Sequence, residues 1–129
     1  MRTTSSTPGS SCCDPGDSGF GFYQTMYPRV CALNGGDPAI GRKLFRYFGE
    51  AGIGEAELRL VQSLGTSGDS DTKALAVSTL EGSADAIVAA GLATADEVAA
   101  AIADLTAFAS TAGTLVGDPR TFQVWAIRR

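Results

Sequence analysis

Hydrophobic and polar positions change period several times along the chain, and the first readable period begins near Phe20. The stretch 20–33 is aromatic, and Tyr27, Val30, Cys31 and Leu33 predict a short helix over 27–33. Pro28 then falls in a first turn, where a missing amide costs little, and Asn34-Gly35-Gly36 closes the element with residues that tolerate positive φ. Asp37 can cap the next helix, with Pro38 inside its start. Ile40, Leu44, Phe45, Phe48 and Ala51 recur on one face, which predicts a helix over 37–51 ended by Gly52.

Beyond Gly52 the period shortens. Residues 53–62 alternate as a strand, with Leu58 and Leu60 on one side and Glu57, Arg59 and Val61 on the other. Residues 64–71 read as a loop, and Asp71 as the cap of a helix to about Ala90 carrying Leu75, Leu80, Ala84, Ile87 and Val88. A kink or break is expected at Gly82-Ser83. Thr94 and Glu97 form a capping box before a helix with Val98, Ile102, Leu105 and Phe108. Gly117-Asp118-Pro119 marks a turn, and the alternation over 121–127 predicts a closing strand. About 55 residues separate the two strands, more than a plain loop in a compact domain holds. If the strands are neighbours, the helices between them are expected to cap the sheet end where open α/β sheets bind ligands.

Composition narrows the chemistry. The chain has 129 residues, 44% hydrophobic, enough for one domain with an ordinary core. Ten basic against fourteen acidic residues give a net charge of −4, which argues against nucleic acid and anionic membranes as partners. Histidine is absent, so local proton chemistry falls to carboxylates, lysines or tyrosines. Cys12, Cys13 and Cys31 have neither zinc-ligand spacing nor an even count, so no metal site is expected and reduced thiols in the cytoplasm are the default. No apolar run reaches signal-peptide or transmembrane length. Residues 1–19, rich in Ser, Thr, Gly and Pro, are expected to be a disordered leader.

Four segments carry a resemblance: Gly35-Gly36-Asp37-Pro38-Ala39-Ile40-Gly41-Arg42-Lys43-Leu44, Phe48-Gly49-Glu50-Ala51-Gly52-Ile53, Ala90-Gly91-Leu92-Ala93-Thr94-Ala95-Asp96-Glu97-Val98, and Pro119-Arg120-Thr121-Phe122-Gln123-Val124-Trp125. In this order, over residues 20–129, they are similar to the C-terminal portion of class I S-adenosylmethionine-dependent methyltransferases, most of all the bacterial enzymes that modify small molecules. The resemblance implies an α/β fold, a partial Rossmann-like methyltransferase fold of helix, strand, helical insert and antiparallel strand. In the family the last strand of a seven-stranded sheet runs antiparallel between the fifth and sixth. Residues 37–51 then match the last helix, 54–62 the sixth strand, 120–128 the seventh, and 71–112 the variable lid over the acceptor pocket. The N-terminal cofactor-binding half has no counterpart. Gly16-Asp17-Ser18-Gly19-Phe20-Gly21 has a glycine scatter but is expected to follow no strand and open no helix.

The resemblance thus implies S-adenosylmethionine as cofactor of the parent family, held by residues this chain does not supply, and a small-molecule acceptor. No catalytic residue is assigned. Phe22, Tyr23 and Tyr27 are candidate acceptor-pocket walls, each with a plainer role as core aromatics. Arg42 could reach a carboxylate or serve as a surface helix residue, and Phe108 could line the lid. Asp37, Phe122 and Trp125 are expected to be structural. Two function classes stay open: the acceptor-side portion of a methyltransferase, inactive without a complementing N-terminal half, and a noncatalytic helical protein-interaction module. A missing half-sheet also implies self-association.

Overall fold

The computed structural model describes residues 2–6, 10–66 and 68–127. Among these, the chain is a mixed α/β fold of four α-helices and two small antiparallel sheets. The strands are β1 (Arg2–Ser6), β2 (Cys12–Asp14), β3 (Ala56–Val61), β4 (Leu64–Gly65), β5 (Leu115–Gly117) and β6 (Thr121–Ala126). The helices are α1 (Ser18–Leu33), α2 (Leu44–Glu50), α3 (Asp71–Ala89) and α4 (Ala95–Ser110).

The sheet orders, β1-β6-β3 and β2-β5-β4, repeat the same three chain segments. Each segment runs through one sheet, breaks for a few residues, and continues in the other. At the break Asp118 N donates to Ser63 O at 2.9 Å, and Gln62 Nε2 donates to Asp118 O at 2.8 Å and to Ser10 O at 3.0 Å. Arg120 N donates to Ser10 Oγ at 2.6 Å. These bonds satisfy backbone groups that the interrupted ladder leaves open. β1 and β3 both run antiparallel to β6, so they are parallel to each other with β6 reversed between them.

The leader expected to be disordered is therefore part of both sheets; its residues 1 and 7–9 lie outside the described residues. Backbone ladder bonds to the apolar strands β5 and β6 hold segments that carry little apolar content of their own.

Helix α1 is more than twice the length that periodicity predicts. Asp17 caps it, its Oδ2 accepting from Phe20 N at 2.8 Å, and Pro28 sits in the interior rather than in a first turn. Of the glycines around this start, Gly19 has a packing role. A Cβ on Gly19 would lie 2.6 Å from both Ala101 O and Leu105 N, so α1 reaches α4 only because that position has no side chain. The helix expected over 37–51 divides into a 3₁₀ turn, Ile40–Lys43, and α2, while Asp37 Oδ1 accepts from Ala39 N at 2.9 Å.

Ser70, not Asp71, caps α3, and the helix runs unbroken through Gly82-Ser83, where Ser83 Oγ donates to Thr79 O at 2.8 Å. Its buried face is Ala76, Leu80 and Ile87, whereas Leu75 and Val88 point to solvent. The capping box of α4 is present, with Glu97 N donating to Thr94 Oγ1 at 3.2 Å and Thr94 N to Glu97 Oε2 at 2.8 Å.

Helices α1, α3 and α4 pack on one another and on the smaller sheet around Phe20, Tyr23, Leu80, Ile87, Leu105 and Val116. They form a layer with its own core rather than a cap on the larger sheet, because their apolar stripes face each other. The larger sheet has a second, smaller core, in which Leu44 and Phe48 cover Val124 and Ala126. Among the described residues no helix is long and apolar enough to cross a membrane.

Candidate functional site

Polar groups from separate parts of the chain converge at the break between the sheets. Asp118 comes from the β5–β6 turn, Gln62 from the end of β3, Ser10 and Ser11 from the β1–β2 link, and Tyr23, Gln24, Tyr27 and Cys31 from one side of α1. The spacing 23, 27, 31 is one residue per helical turn, which aligns two phenols and a thiol. The Tyr23 and Tyr27 rings lie 6.1 Å apart, and Tyr23 also meets Phe20 at 5.7 Å. Gln24 Nε2 donates to Ser11 O at 2.6 Å and to Ser11 Oγ at 3.1 Å, which ties α1 to the break.

The electrostatics follow from burial. Tyr23 is 7% exposed, and desolvation, then the Asp118 carboxylate, then Tyr27 and Cys31, push its phenol up to about 12. Desolvation also raises the Asp118 carboxyl above the usual carboxylate range. Tyr27 is raised by burial and by its hydrogen bond with Cys31. At neutral pH the cluster therefore holds protonated phenols beside a carboxylate that binds its proton more tightly than usual. Tyr27, the one of the two phenols at the surface, can stack a ring, and its hydroxyl can exchange hydrogen bonds with another.

The five candidates divide three ways. Tyr23 and Tyr27 meet in this cluster. Phe22 and Phe108 pack on and in the helical core, with Phe108 8% exposed. Arg42 stands exposed on the 3₁₀ turn, which packs on α2, β1 and β6. The expected wall of Phe22, Tyr23, Tyr27, Arg42 and Phe108 is thus not one surface. Asp118, Gln62 and Ser11 were hidden because a Gly-Asp-Pro turn and a Ser-rich leader read as connectors. Lys73 was also missed: it is 1% exposed, and its Nζ donates to Thr114 Oγ1 at 2.7 Å and Thr66 O at 3.3 Å.

The glycine scatter at 16–21 does follow a strand, β2, and open a helix, α1, contrary to the sequence expectation. It still does not fit a nucleotide cofactor. Asp17 puts a carboxylate on the first free amides of α1, and Gly19 is covered by α4 at a distance that admits no further group. Among the described residues no group of three or more Cys, Asp or Glu side chains could hold a metal ion. No protein-family model matches the chain, and neither does any curated protein.

Proposed function

We propose that the chain is the acceptor-side portion of a Rossmann-like, S-adenosylmethionine-dependent methyltransferase acting on a small molecule, and that donor binding requires a separate nucleotide-binding half. One observation carries this reading. A reversed strand, β6, lies between two mutually parallel strands, with a helix before β3 and a helical segment between β3 and β6. That is the strand order the resemblance implies for the fifth, seventh and sixth strands, with β1 standing where the fifth would be.

The cluster at the break supports an acceptor role. Tyr27 offers an aromatic face at the surface, backed by the buried Tyr23, and Asp118 offers an oxygen to a hydroxyl or amine of the acceptor. Holding an acceptor in a dry, oriented position is the main task a protein has in methyl transfer. No step through the donor is assigned, because the residues present do not fit it.

Isothermal titration with S-adenosylhomocysteine tests the reading. Neither the chain nor a fragment supplying the first four strands of such a methyltransferase should bind it alone, and the mixture should bind it stoichiometrically. A mixture that stays silent overturns the proposal. A second reading, a noncatalytic interaction module, is favoured by Leu58 and Leu60, which are 51% and 50% exposed on strand β3. Under that reading the mixture stays silent while the chain still associates with a protein partner.

A further inference from the structure

Strand β3 is an outer strand, paired with β6 on one side and with no sheet neighbour on the other among the described residues. Its sequence, Ala56-Glu57-Leu58-Arg59-Leu60-Val61, alternates an apolar face with a charged one. The apolar face is the one that α2 covers over β6, since Leu58 stands opposite Val124 and Leu60 opposite Phe122. Val124 is fully buried, yet Leu58 and Leu60 on the same face remain half-exposed. A free edge bearing two exposed leucines is the kind of surface that added strands pair with.

We infer that the occupant of this edge is a second copy of the same strand, paired antiparallel about a two-fold axis through Leu58. In that register Leu58 meets Leu58 of the other copy, Ala56 meets Leu60, and Glu57 meets Arg59, each of the last two pairs twice. Paired residues share a face, so the leucines extend one apolar strip across both copies and the charges alternate on the other side. Neighbouring registers are disfavoured. Sliding two residues one way sets Glu57 against Glu57, and sliding two the other way sets Arg59 against Arg59. Sliding by one sets leucine against charge and puts the two α2 layers on opposite sides. Charge and apolar pattern therefore select one pairing. Within the chain Glu57 and Arg59 stand opposite the uncharged Trp125 and Gln123, and among the described residues neither is in an ion pair.

The test is sedimentation equilibrium of the full chain over a range of concentrations, with charge-swapped variants. The wild type should form a dimer. E57R and R59E each create two like-charge pairs and should weaken dimerisation by roughly tenfold or more. The double variant E57R/R59E restores opposite charges and should recover it. Circular dichroism checks that each variant folds, and Leu58→Cys in a Cys12→Ser background gives an independent arm. Directly opposite residues in antiparallel strands lie within disulfide range, so oxidation should give a covalent dimer linked through position 58. A wild type that stays monomeric, single swaps that leave association unchanged, a double swap that fails to recover it, or no cross-link at position 58 would each overturn the inference.

Discussion

The helical layer and the larger sheet are built from one chain but close their cores to different degrees. Around α1, α3 and α4 the side chains of Phe20, Leu80, Ile87 and Leu105 are almost wholly buried, supplied by faces that point at one another. Among the described residues the larger sheet has α2 and the 3₁₀ turn on its apolar face, and leaves Phe45, Leu58 and Leu60 half-exposed. A three-helix layer can satisfy itself, whereas three strands with one short helix cannot, because a sheet needs cover along its whole face. Stability should therefore reside in the helices, and the sheet should be where other elements attach.

Truncating each core is the strongest way to break this contrast. Leu105→Ala should cost about 3–4 kcal/mol and Val124→Ala about 2 kcal/mol, since the sheet core around Val124 is smaller and can relax. Urea unfolding measures both, and a larger cost for Val124→Ala would reverse the ranking. The break between the layers comes next. The Tyr23 phenol is raised from its ordinary value of 10 to about 12, so the folded state holds its proton more tightly than the unfolded state. This contribution is complete below pH 10 and is lost as pH rises to about 12. It amounts to at most about 3 kcal/mol, and Tyr23→Phe should remove that part of the alkaline loss. Denaturant midpoints at several alkaline pH values give the comparison; an equally steep decline in Tyr23→Phe would show that the phenol is not desolvated.

Smaller effects sharpen the account of the helical layer. Thr114→Val removes the closest acceptor of the buried Lys73 ammonium and should destabilise by about 2 kcal/mol, with Lys73→Met milder than Thr114→Val because it removes the charge as well. If Lys73→Met proves the costlier change, the ammonium itself supports the fold. Thr94→Ala should lose the capping box of α4 and about 1 kcal/mol, read as a shift in thermal midpoint. No shift would mean that the start of α4 is held by packing alone.

Legibility in the sequence followed locality. Strand β3, strand β6 and the Thr94–Glu97 box depend on neighbours within a few residues, and periodicity and capping chemistry located them to within a few residues. Helix α1 was half hidden because the glycine scatter over 16–21 read as leader that opens no helix, although Gly19 is there for the approach of α4. Leader strands β1 and β2 are polar and owe their order to distant partners, which no local pattern reveals. The same limit applied to the candidate site. Tyr23 and Tyr27 were visible as aromatics on one helix, while Asp118 and Gln62 join them only through the break between sheets.

Hydrogen exchange tests the division into a closed layer and an open one most directly. In dilute solution the amides of Leu80, Ile87 and Leu105 should exchange only through global unfolding. The β3 amides that do not bond to β6 should exchange at least about a hundredfold faster, and should slow as concentration rises. Equal, concentration-independent protection of β3 and the helices in the dilute monomer would contradict the account.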